Sequence, residues 1–108
     1  MLQAAHILEK MEAFREREGI QSCIFAGDMN SLPESGFVQF VTKGTLSAQH
    51  EERKFFPSFN YHHKFEWKSV YSLVKNGATN WTKGFIGCLD HIWATNDLIP
   101  CELLEPVK

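Results

Sequence analysis

An apolar run, Cys23-Ile24-Phe25-Ala26, breaks off into Gly27-Asp28-Met29-Asn30-Ser31-Leu32-Pro33-Glu34-Ser35-Gly36. A short apolar run bounded by turn residues reads as a buried strand, here over Gln21 to Ala26. Gly27 to Ser35 is then turn chemistry. Strand ends of layered α/β proteins are where functional groups gather. Two residues apart on an extended backbone, Asp28 and Asn30 point the same way. Together they offer a charged acceptor and a neutral carboxamide to one group. The plainer reading is a β-turn in which Asp and Asn bond only the local backbone.

The flanking pattern supports mixed α and β structure. Ala4, Ile7, Leu8, Met11 and Phe14 recur at helical spacing, and Glu9, Lys10, Glu12, Arg15 and Glu16 fill the other face. This predicts a helix over residues 2–18, with Gly19 as the residue that ends it. Phe37, Val38, Phe40 and Val41 predict a short helix from Gly36 to Val41. Lys43 to Lys64 reads as a long connection, and such loops are usually functional or mobile. Phe65 to Leu73 is ambiguous. Asn76-Gly77 is a turn signal. Ile86 to Thr95 reads as a second buried strand, and Cys101 to Val107 as a weak third.

Composition narrows the function classes. The chain has 108 residues, room for one modest core, with 44% hydrophobic and 13% aromatic residues, which favours globular order over disorder. A net charge of −2 gives no basic field of the kind that advertises nucleic-acid binding, although one short strand can still be held locally through a metal. Cys23, Cys88 and Cys101 are odd in number and widely spaced, which predicts a reduced, intracellular protein. No run of 18 apolar residues exists to span a membrane. No signal-peptide core precedes the first helix, and its glutamates argue against a transit peptide. A helix beginning almost at Met1 implies a cut or an alternative start. So few strands imply a piece of a larger layered domain.

A second constellation follows the first, from Thr79-Asn80-Trp81 through Gly84-Phe85 to Gly87-Cys88-Leu89-Asp90-His91-Ile92-Trp93. Gly27 to Gly36 resembles the G-D-x-N-S-x-P-x-S-G stretch of the endonuclease/exonuclease/phosphatase superfamily, and more narrowly its deadenylase and 2′,5′-phosphodiesterase branch. Phe65-x-Trp67-Lys68-Ser69 resembles that branch's F-x-L-K-S. Thr79-Asn80-Trp81 resembles its T-N-Y, and Gly87 to Trp93 its G-C-L-D-Y-I-F, with His91 in place of Tyr. The four motifs match in order and approximate spacing, and the resemblance covers roughly residues 2–106.

The resemblance implies an α/β (α+β) sandwich, of which residues 1–108 form an incomplete C-terminal portion. It implies Mg²⁺-dependent hydrolysis of phosphodiesters by a 3′-to-5′ exoribonuclease, with Mn²⁺ as a possible substitute. Poly(A) or 2′,5′-linked oligoadenylate at an RNA 3′ end is the implied partner, in a mitochondrial or cytoplasmic setting. Asp28 would orient or deprotonate the attacking water near the metal. Asn30 would bind the scissile phosphate, Asn80 would add a second amide contact, and Asp90 a further carboxylate. Asp28, Asn30 and Asp90 form the implied metal set. Phe85 would stack on a base, with His50 and Trp81 as further substrate contacts. A solvated loop is the plainer account of His50-Glu51-Glu52, and core packing that of Trp67, Trp81, Trp93 and Cys88. Tyr61-His62-His63 is a weak zinc signal. Two features of the family pattern lie outside these 108 residues, a metal-binding Glu upstream and a terminal S-D-H. That leaves two other readings open, an inactive or nucleotide-binding remnant and a nucleotide phosphatase.

Overall fold

The computed structural model describes residues 2–55, 61–71 and 78–103. Helix α1 spans Leu2–Glu18, as the periodicity predicts. It buries a narrower stripe than expected: Ala4 and Leu8 are buried, and Ala5 and Met11 pack beside them. Ile7 and Phe14, assigned to the same face, stay half exposed. The end of α1 is closed by Gly19 in the left-handed region at φ 65°, where the missing Cβ removes the steric cost. Arg15 fixes the exit, its guanidinium donating to the carbonyls of Ile20 (3.1 Å) and Gln21 (2.9 Å).

Strand β1 covers Ile24–Asp28, slightly later than expected. It is not buried on both sides. Phe25 packs on the core, whereas Ile24 is 63% exposed on the opposite face. Helix α2, Gly36–Lys43, is capped as its sequence dictates. The Ser35 hydroxyl accepts from the Val38 N–H (3.3 Å), and Gly44 closes the helix at φ 80°. A 3-10 turn, Glu51–Phe55, lies within the long connection after α2. The ambiguous segment resolves into β2, Trp67–Ser69.

The strand expected over Ile86 to Thr95 is two strands in two sheets. Phe85–Gly87 is β4, paired with β3, Asn80–Thr82, in a hairpin turned at Gly84 (φ 92°). Asp90–Thr95 is β5, the centre of an antiparallel sheet ordered β1-β5-β2. Cys88 therefore lies between strands and is half-buried, a correction to its placement in a buried strand. Cys101 to Leu103 form no strand, and the rest of that expected element, like the Asn76-Gly77 turn, lies outside the described residues.

The core sits between the helices and one face of the three-stranded sheet. Trp93 and Val41 are wholly buried, with Phe40, Leu46, Phe65 and Trp67 around them. Burying side chains of this size is worth about 1.5–3 kcal/mol each. Both buried indoles keep their N–H satisfied, as amphipathic rings require. Trp93 Nε1 donates to Thr42 Oγ1 (2.8 Å) and Trp67 Nε1 to the Val41 carbonyl (2.7 Å). Phe25 meets both rings edge-on, at 5.5 and 5.9 Å between centroids.

Candidate active site

The pairing of β1 with β5 puts Asp28 directly opposite Asp90. Directly opposed residues of an antiparallel pair point to the same face, with Cβ atoms about 4.5–5.5 Å apart. Since Phe25 and Trp93 occupy the core face, Asp28 and Asp90 share the open one, at the end of the sheet. Both are exposed. The two carboxylates thus offer oxygen ligands side by side at a solvent-exposed strand end.

After Asp28 the chain turns sharply. The Asn30 N–H donates to Asp28 Oδ1 (2.9 Å), and Asn30 takes a positive φ of 47°. An Asn tolerates that conformation better than most residues. The local bond expected of a plain turn is therefore present, and the turn is also tied to distant residues. The Met29 N–H donates to the Leu89 carbonyl (2.8 Å). His91, 7% exposed, stacks on Trp93 (5.4 Å) and its Nε2 donates to the Ser31 carbonyl (2.7 Å). His91 thus braces the turn from the core side, in keeping with a structural role.

Beyond Asn30 opens a groove of about 920 Å³ lined by Asn30, Leu32, Glu34, His50, Glu52 and Phe85 among others. Three expected site residues, Asn30, His50 and Phe85, meet here. His50 is held in place: its Nδ1 accepts from the Glu52 N–H (3.1 Å), which leaves Nε2 facing the Glu34 carbonyl (3.4 Å). Its loop is folded against the groove and not merely solvated. Asp28, Asp90 and Asn80 are not on the lining. The first two stand beside it at the strand ends. Asn80 is half-buried at the start of β3, opposite Gly87.

Trp81 lies apart from that groove. Strand alternation sets Trp81 and Ile86 on one face of the hairpin and Phe85 on the other. Trp81 is 47% exposed and points away from the groove that Phe85 lines, so it does not pack in the core. Zinc at His62 and His63 finds no support. Both ring nitrogens of His63 are occupied, Nε2 by the carbonyls of Phe40 (2.8 Å) and Val41 (3.0 Å) and Nδ1 by the Phe65 N–H (3.2 Å).

Two features escaped the sequence reading. Gly87 lets Leu32 and the Phe85 ring approach its backbone closely; a Cβ there would lie 2.8 Å from each. Thr79 accepts two backbone N–H groups at the entry to β5. Each lay inside a recognised motif, but only the fold reveals what it touches. The Cys88 thiol beside Thr79 is pushed above its ordinary range by burial, so it is a poor nucleophile at neutral pH.

Among the described residues no group of three or more His, Cys, Asp and Glu converges. Two carboxylates with a neighbouring carboxamide suit Mg²⁺, which takes one or two protein carboxylates and completes its shell with water and phosphate oxygens. They lack the His and Cys donors that dominate zinc sites.

The chain is similar to known proteins. The chain is 39% identical to the CCR4-Not complex 3′-5′-exoribonuclease subunit Ccr4 of Phaeosphaeria nodorum and 36% identical to that of Schizosaccharomyces pombe, over 78% of its length in each case. It is 33% identical to 2′,5′-phosphodiesterase 12 of Mus musculus, again over 78% of its length. It spans only 15%, 13% and 14% of those three relatives, in that order. Residues 2–105 match the model of one family. With its GDxN turn, opposed carboxylates and two antiparallel sheets, the chain belongs to the Endonuclease/Exonuclease/phosphatase family and forms an incomplete portion of that fold.

Proposed function

We propose that this chain contributes one wall of a site that hydrolyses phosphodiesters at RNA 3′ ends, with poly(A) or 2′,5′-linked oligoadenylate as substrate and Mg²⁺ as cofactor. The observation that carries the reading is the register of β1 and β5, which opposes Asp28 and Asp90 beside Asn30 and the Phe85 groove. Asp28 and Asp90 would hold the ion, which when bound neutralises charge developing on the phosphate. Asn30 donates its carboxamide N–H to a non-bridging oxygen, and such a donor counts most where charge grows in the transition state. Asp28 orients the attacking water and takes up its proton on a carboxylate oxygen. Phe85 stacks on the terminal base and His50 closes the far side of the groove.

A second reading, binding without cleavage, is favoured by the convergence of only two carboxylates among the described residues. One assay separates the two. The 108-residue chain is mixed with 5′-labelled oligo(A) and Mg²⁺, and both anisotropy and product length are followed. Binding that weakens about 5- to 150-fold in F85A, the range for one lost base stack, supports the groove assignment. Shortening of the oligonucleotide that vanishes in D28A supports hydrolysis. Binding with no shortening supports the second reading. Release of inorganic phosphate from mononucleotides, with no effect on oligo(A), would replace both with a nucleotide phosphatase.

A further inference from the structure

We infer that Thr79 is a positioning residue that sets where Asp90 stands relative to Asp28; the inference rests on the carboxylate pair being a cation and phosphate site, as proposed above. Thr79 Oγ1 accepts from two successive backbone N–H groups, Leu89 (2.9 Å) and Asp90 (3.1 Å). Its own N–H donates to the Gly87 carbonyl (3.0 Å). One residue thus grips the whole link between β4 and β5. A hydroxyl oxygen has two lone pairs and can accept both bonds.

The grip reaches the other carboxylate through one more bond. Leu89, held by Thr79 at its N–H, accepts at its carbonyl from Met29 (2.8 Å). Met29 is the residue between Asp28 and Asn30. Thr79 therefore stands behind both sides of the pair, although it is remote from Asp28 in sequence. It is also exposed and outside the core. Removing its hydroxyl opens no cavity, which separates positioning from packing.

The test compares wild type, Thr79→Val and Thr79→Ser as full chains. Amide hydrogen exchange is read by NMR, with Mn²⁺ line broadening at Asp28 and Asp90 as a second readout. Exchange at Met29, Leu89 and Asp90 is expected to quicken about tenfold or more in T79V, as for a local opening, with Phe25 and Trp93 unchanged. T79S, which keeps the acceptor, should restore wild-type rates. T79V should also need about tenfold more Mn²⁺ for equal broadening, since supporting contacts of metal ligands commonly carry that much affinity. Unchanged exchange at Met29 in T79V, or equal loss in T79S, overturns the inference. Thr79→Ala guards against a β-branched artefact, and if T79V and T79A both lose the far-UV signature of the fold, the role is global and the inference fails. Exchange that responds to T79V while wild type shows no Mn²⁺ broadening overturns the cation reading of the pair instead, and the positioning role with it.

Discussion

His63 and His91 show how much of this fold hangs on which ring nitrogen carries a proton. His91 donates to the Ser31 carbonyl and steadies the turn after β1. His63 closes the end of α2, with Nε2–H shared between Phe40 and Val41 and Nδ1 accepting from Phe65. That arrangement requires the neutral ring. Protonation would set a second N–H against the Phe65 N–H. Burial accordingly holds His63 below its ordinary value of 6.5, outweighing the two carbonyl contacts that raise it. A folded pKa below the unfolded one means the unfolded chain binds more protons in between. The contribution of His63 is complete above pH 6.5 and is lost as pH falls from there through the folded pKa. The urea midpoint is therefore expected to drop as pH falls below 6.5, and an H63Q chain should flatten that slope.

At the scale of elements, the hairpin β3–β4 is fastened to the sheet by few contacts, and Gly87 is one of them. A methyl group at this position meets Leu32 of the turn and the Phe85 ring, both at 2.8 Å. G87A is expected to cost about 1–3 kcal/mol, the range for overpacking, checked by urea unfolding. It should also displace Phe85 and weaken oligo(A) binding. The helices were legible in sequence because their signals are local: Ser35 and Gly44 punctuate α2, and Gly19 ends α1. The break at Cys88 and Leu89 was not legible. It is imposed by Thr79, at the foot of the hairpin, and by Met29, sixty residues away, which both bond that stretch. Asp28, Asn30 and Phe85 were named from motifs, whereas the hairpin register that sets Trp81 on the face opposite Phe85 was not legible.

For the whole molecule, the described helices pack on one face of the three-stranded sheet. Ile24, Val70, Ile92 and Ala94 line the other, with Leu98, Ile99 and Leu103 around them. The same open face carries Asp28 and Asp90 at its end, so the charged pair and the apolar surface adjoin. Since β5 bears both Trp93 and Asp90, its placement in the core also fixes the site.

The opposed carboxylates make the chain's own melting a detector. On the proposed function, the ion binds the native state, in which the register of β1 and β5 sets the two carboxylates opposite each other. Thermodynamic linkage then returns about 2.7 kcal/mol of stability at a free ion concentration near 100 times Kd. The melting temperature is expected to climb with Mg²⁺ and fall back on chelation, and an Asp28→Asn, Asp90→Asn chain should melt at the same temperature with or without the ion. Occupancy of the site can thus be read by heat alone, with no substrate and no turnover.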